Sequence, residues 1–88
     1  MEIFDKVMAI LAELSGVESL SLEHELRRDL GLDSLQMVML LMMLEDHFQI
    51  VLHETDMNPF DLIHVGQVVK LMEKYVVGEK NDNLESKN

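Results

Sequence analysis

Few side chains in this 88-residue chain could begin chemistry. It has no cysteine, so it offers no thiol nucleophile, no disulfide framework and no Cys-based metal site. Its four histidines (His24, His47, His53, His64) show neither the His-x-x-x-His spacing nor the cysteine partners of a metal centre. Glu54-Thr55-Asp56-Met57-Asn58 begins like a calcium loop, but Phe60 stands where later ligands and a glycine are needed, and Val65 where a glutamate should close it. Gly31-Leu32-Asp33-Ser34-Leu35-Gln36 lacks the second glycine of a nucleophile elbow. What remains is the placement of Ser34. Asp33 precedes a long apolar helical run and Gln36 follows three residues later, which is the pattern of a capping box. Ser34 then occupies the first helical position, where backbone N–H groups lack intrahelical acceptors and the helix dipole is positive. An anion attached to its hydroxyl would be favoured there. The residues alone leave two readings open: Asp33 is a cap beside a tolerated serine, or Ser34 carries a phosphodiester.

The elements that must hold this serine are helical. Ile3, Phe4, Val7, Met8, Ile10, Leu11 and Leu14 recur at helical spacing, and Gly16 stands at a C′ position, predicting a first helix over residues 2–15. Residues 16–33 carry spaced leucines (Leu20, Leu22, Leu26, Leu30, Leu32) without a sustained period. They predict a long loop pinned to the core, with one turn near residues 23–28. A second helix runs from Asp33 as cap to Phe48. Residues 55–63 predict a short irregular helical piece, with Asn58 as cap and Pro59 at its first position. A last helix spans residues 65–77 and Gly78 closes it. The expectation is an all-α four-helix bundle, three main helices plus one short one, with a long loop between helices 1 and 2. Residues 1–78 would form one domain, and residues 79–88 (EKNDNLESKN) a disordered polar tail.

Seven Lys+Arg against 17 Asp+Glu give a formal charge of −10, which disfavours nucleic acid and anionic membrane surfaces as partners. Glu2 and Asp5 stand where a signal peptide would be basic, and the run from Leu35 to Leu44 is half of a membrane span, so no membrane insertion is expected. No Lys or Arg occurs between Asp29 and Val69, whereas seven Asp and Glu do. Within that stretch, advancing about 100° per residue places Met37, Leu40, Leu41, Leu44 and Phe48 on one face of the second helix, between about 140° and 240° from Leu35. Leu35, Val38, Met39 and Met42 fall nearly opposite, with Glu45 and Asp46 following. A thin bundle buries one side of a helix, so this second stripe is either covered by the long loop or exposed as a docking face. Methionine suits docking because its thioether adapts to different surfaces, and the one-sign charge around it suits basic partners.

Asp29-Leu30-Gly31-Leu32-Asp33-Ser34-Leu35 resembles the acyl carrier protein family, whose signature is an Asp-Ser-Leu at the start of the second helix after a turn containing leucine and glycine. The similarity continues through Met37 to Phe48, with Leu44-Glu45-Asp46-His47-Phe48, and covers roughly residues 2–77. The resemblance implies a 4′-phosphopantetheine arm attached to Ser34 through a phosphodiester, with Asp33 used by the transferase that installs it. The arm's thiol would hold an acyl group as a thioester, so the cofactor supplies the thiol that the sequence lacks. It also implies that the second helix is the recognition surface, here Leu35, Gln36, Val38, Met39, Met42, Glu45 and Asp46.

Three positions depart from the fatty-acid members. Position 36, usually acidic, is Gln36; position 39, often Glu, is Met39; and His64-Val65-Gly66 replaces a common Thr-Val start of the last helix. These departures predict a dedicated partner set rather than the general fatty-acid synthase; the pathway served would be a specialised lipid or polyketide pathway, or fatty acid biosynthesis. The expectation is therefore a cytoplasmic, monomeric carrier, a substrate of enzymes and not an enzyme. Its partners would be a phosphopantetheinyl transferase and acyl-transfer, ligase or synthase enzymes with basic patches. The alternatives are a carrier of aminoacyl or peptidyl units, and an unmodified helical adaptor that binds partners through the Met-rich face.

Overall fold

The computed structural model describes residues 2–78, and for Glu2 and Gly78 the backbone alone. The expected tail, 79–88, lies outside the described residues. Three helices carry the fold: α1 (Glu2–Ser15), α2 (Ser34–Phe48) and α3 (Val65–Glu73), the last continued by a wider π-type turn over Lys74–Gly78. Among the described residues there is no strand, and no helix is long and apolar enough to cross a membrane.

Each boundary has a local cause. Gly16 ends α1 with φ +77, a conformation that a Cβ would strain, and its N–H donates to the Ala12 carbonyl at 2.8 Å. Asp33 starts α2: its Oδ1 accepts from the Gln36 N–H at 2.8 Å while Gln36 Oε1 accepts from the Asp33 N–H at 3.1 Å, the reciprocal capping box. Gln49, at φ 55, ends it. The short helical piece expected over residues 55–63 is two separate 3₁₀ turns, Glu54–Asp56 and Pro59–Asp61. Asn58 caps the second by accepting from the Phe60 N–H at 3.0 Å. The α-helical part of the last element stops at Glu73, and the following turn carries Tyr75 into a polar clasp. There the Tyr75 hydroxyl accepts from the His53 N–H (2.7 Å) and donates to Asp56 (2.6 Å), whose carboxylate also pairs with Lys74 (2.9 Å).

The core lies between the helices. Ile3, Val7, Ile10 and Leu11 of α1, Met37, Leu40, Leu41 and Leu44 of α2, and Val65, Val68, Val69 and Met72 of α3 are all buried. Leu26, Leu30 and Leu32 of the long loop join them, whereas Leu20 is half-buried and Leu22 exposed. The loop is also sewn to the entry of α3 through its backbone. The Leu26 N–H donates to the Ile63 carbonyl (2.8 Å), Val65 to His24 (2.9 Å) and Gly66 to Leu22 (2.9 Å), with a single antiparallel bridge between Glu25 and His64. Gly66 permits this approach, since a Cβ there would meet the Leu22 carbonyl oxygen at 3.3 Å.

Candidate functional site

Ser34 lies at the junction of that loop with α2, and the loop fixes it from both directions. The turn after Glu25 closes when the N–H groups of Asp29 and Leu30 donate to the Glu25 carbonyl (2.9 and 3.1 Å), and Asp29 Oδ2 accepts from the Glu25 N–H (2.7 Å). Gly31, at φ +73, reverses the chain, and the Leu32 N–H then donates to the Leu26 carbonyl at 3.1 Å. Burial of Leu30 and Leu32 holds the two residues that bracket Gly31. The exposed Ser34 follows as the first residue of α2.

The first intrahelical bond of α2 runs from the Met37 N–H to the Asp33 carbonyl at 2.9 Å. The N–H groups of Ser34 and Leu35 precede it and so remain donors at the positive end of the helix dipole. No acidic side chain occupies the first turn. An exposed hydroxyl with donors behind it is a site on which a phosphodiester fits, and a cap of this kind contributes about 1 kcal/mol to holding the helix start in place.

The expected docking residues divide into two groups. Leu35 is 68% exposed, Val38 44%, Met39 41% and Met42 62%, so the loop does not cover the second stripe of α2. Asp46 is exposed beside them. Gln36 and Glu45 are instead committed to the fold. Gln36 Nε2 donates to the Leu14 carbonyl at 3.1 Å, tying the start of α2 to the end of α1, in addition to its role in the capping box. Glu45 Oε2 accepts from the Leu52 N–H at 2.9 Å and anchors the chain after α2. Spacing gave no sign of either partner, because both are backbone groups contributed by other segments. The stripe beside Ser34 is therefore apolar, and Asp46 is the α2 carboxylate left facing solvent there.

Two features had no sequence signal. Arg27 stacks over the Phe60 ring, 5.2 Å from its centroid, bringing the long loop onto the second 3₁₀ turn. The clasp of Tyr75, Asp56 and Lys74 holds the Asp56 carboxyl below its ordinary pKa, chiefly through the hydrogen bond from Tyr75 and then that from Lys74. Among the described residues no group of His, Asp and Glu is arranged to hold a metal ion.

Comparison with known proteins places this geometry in context. Residues 5–72 match the family described as "Phosphopantetheine attachment site". The chain is 37% identical over 75 residues to acyl carrier proteins of Helicobacter pylori and Helicobacter acinonychis, an alignment covering 83% of this chain and 94% of theirs. It is 36% identical over 76 residues to the acyl carrier protein of Campylobacter curvus, covering 84% of this chain and 96% of that one.

Proposed function

Because the chain belongs to the acyl carrier protein family, we propose that Ser34 is the residue that carries its arm and that Asp33 is the acidic neighbour engaged by the transferase that installs it. Acyl carrier proteins are carriers and not enzymes, and their covalent 4′-phosphopantetheine supplies the thiol on which an acyl group is held as a thioester. The observation that carries the assignment is the exposed Ser34 hydroxyl at the first position of a capped helix, inside the matched region. The protein's own part is positional. The capping box fixes the helix start, the N–H groups of Ser34 and Leu35 face the place a phosphodiester would take, and the buried Leu30 and Leu32 present the serine to an incoming enzyme.

Incubation with coenzyme A and a broad-specificity phosphopantetheinyl transferase tests this directly. The wild-type chain should gain the mass of one arm, on the peptide containing Ser34, and Ser34→Ala should gain none. Absence of a gain in the wild type would favour the unmodified adaptor instead.

In this reading residues 1–78 form the working domain, in the four-helix arrangement common to such carriers, and the molecule acts as a cytoplasmic monomer. Its docking face is Leu35, Val38, Met39 and Met42 with Asp46, and Gln36 and Glu45 support that face from within. Acidity without Lys or Arg between Asp29 and Val69 supports synthase, ligase and acyl-transfer partners with basic patches. The apolar character beside Ser34 supports partners dedicated to this carrier, in a specialised lipid or polyketide pathway. Enzymes of general fatty-acid elongation should accordingly turn over the acylated protein poorly. Efficient turnover by them would overturn the dedicated set without touching the assignment of Ser34.

A further inference from the structure

The chain holds eight methionines and neither cysteine nor tryptophan, so thioethers are its most readily oxidised side chains. Among the described residues they divide by burial. Met37 and Met72 are sealed in the core, and Met8 and Met43 pack against it. Met39, Met42 and Met57 are exposed, and the first two lie on the stripe of α2 that carries Leu35 and Val38. Resting on the assignment of Ser34 and its docking face, we propose that Met39 and Met42 form a reversible oxidation site, at which a peroxide turns the apolar stripe polar and weakens the carrier's hold on its partners.

In the forward step the sulfur lone pair attacks one oxygen of the peroxide. The S–O bond forms as the O–O bond breaks, the attacked oxygen passes its proton to the departing hydroxide, and water leaves. Sulfur gives up two electrons and the peroxide takes them. A sulfoxide reductase with a dithiol donor reverses the change, returning the oxygen as water and the donor as a disulfide.

Three observations carry this. The first is selectivity within one helix: Met37 has no accessible surface, whereas Met42, five residues on, is 62% exposed. The second is the separation of fold from docking. An oxygen added at Met39 or Met42 stays in water on the free protein and leaves the core intact. Against an apolar partner surface the same oxygen would be buried without a donor, which opposes binding. The third is position, because Met39 and Met42 lie only about 7.5 and about 12 Å along the helix axis from Ser34. An enzyme that holds Ser34 and reads α2 covers both sulfurs.

Apo protein treated with dilute hydrogen peroxide should take up oxygen at Met39, Met42 and Met57 before Met37 and Met72, read by fragment-ion mass spectrometry, with its far-ultraviolet circular dichroism unchanged. Loading of Ser34 by a phosphopantetheinyl transferase should then fall about fivefold or more in kcat/KM, chiefly through KM, and a sulfoxide reductase should restore it. Met39→Leu combined with Met42→Leu, whatever its own rate, should load equally before and after peroxide, whereas Met57→Leu should keep the full loss. Oxidation of Met37 as fast as Met42, equal loading of oxidised and reduced wild type, or an undiminished loss in the double variant would each overturn the proposal. A reduced wild-type chain that gains no arm fails at Ser34 and takes the proposal with it, whereas failure at the methionines leaves loading of the reduced chain intact.

Discussion

Leu44→Ala should lower the free energy of unfolding by about 2–5 kcal/mol, a large share of the ~5–15 kcal/mol typical of a whole domain. Leu44 is fully buried in the middle of the core face of α2, between Leu40 and Leu41 on one side and Phe48 on the other. Removing its isobutyl group discards the burial of that group and leaves a cavity that the surrounding core can fill only by shifting. A small domain lies towards the lower end of the stability range, so the variant should be partly unfolded at 37 °C. Met42→Ala on the same helix removes a side chain that is 62% exposed and should change stability by no more than about 0.5 kcal/mol. Urea melts of the two variants, read at constant m-value, check the contrast. Equal midpoints would mean that the two faces of α2 have been assigned wrongly, and the docking face with them.

Tyr75→Phe should cost about 1–3 kcal/mol by removing one oxygen from the clasp. That oxygen accepts from the His53 N–H and donates to Asp56, so its loss strips a partner from the first and the strongest hydrogen bond from the second. The pH dependence follows from the direction of the Asp56 shift. Its folded pKa lies below the ordinary 3.8, so folding favours the ionised form. The resulting stability is complete above that ordinary value and disappears as the pH falls through the lower folded one. Wild-type protein should therefore lose stability through this acid window, and Tyr75→Phe should show a shallower loss there while being weaker at neutral pH. Thermal melts from about pH 6 to about pH 2.5 test both points. A parallel acid limb in the two proteins would show that Tyr75 does not hold the Asp56 carboxylate.

What could be read from the sequence was whatever the chain signals locally. Gly16 and the Asp33–Gln36 pair mark helix ends because each acts on backbone within four residues of itself. The two faces of α2 follow from its period, and the exposures of Leu35, Val38, Met39 and Met42 agree with it. Ser34 stood out because a cap fixes its position, and family resemblance supplied the chemistry that the position alone left open. What stayed hidden depends on groups far apart in the chain. Gln36 and Glu45 looked like recognition side chains, yet each is bonded to a backbone group of another segment. The last helix changes its winding at Lys74, next to a tyrosine drawn towards Asp56, and no helical period reports such a pull. The seam between the long loop and the entry of α3 consists of main-chain bonds, which leave no residue signature.

That seam also bears on the order in which the molecule can assemble. Helices α1 and α2 close from neighbouring residues, whereas Leu22, His24 and Leu26 must meet Ile63, Val65 and Gly66 across up to half of the chain, and contacts of such high sequence separation form late because loop closure opposes them. Leu32 is hydrogen-bonded to Leu26, so the turn that presents Ser34, closed by its own local bonds, is further braced by a segment that the returning chain meets. A nascent chain still lacking its last helix would hold the Asp33-Ser34-Leu35 triplet without that brace. The seam thus adds a long-range support to a turn whose own bonds are local.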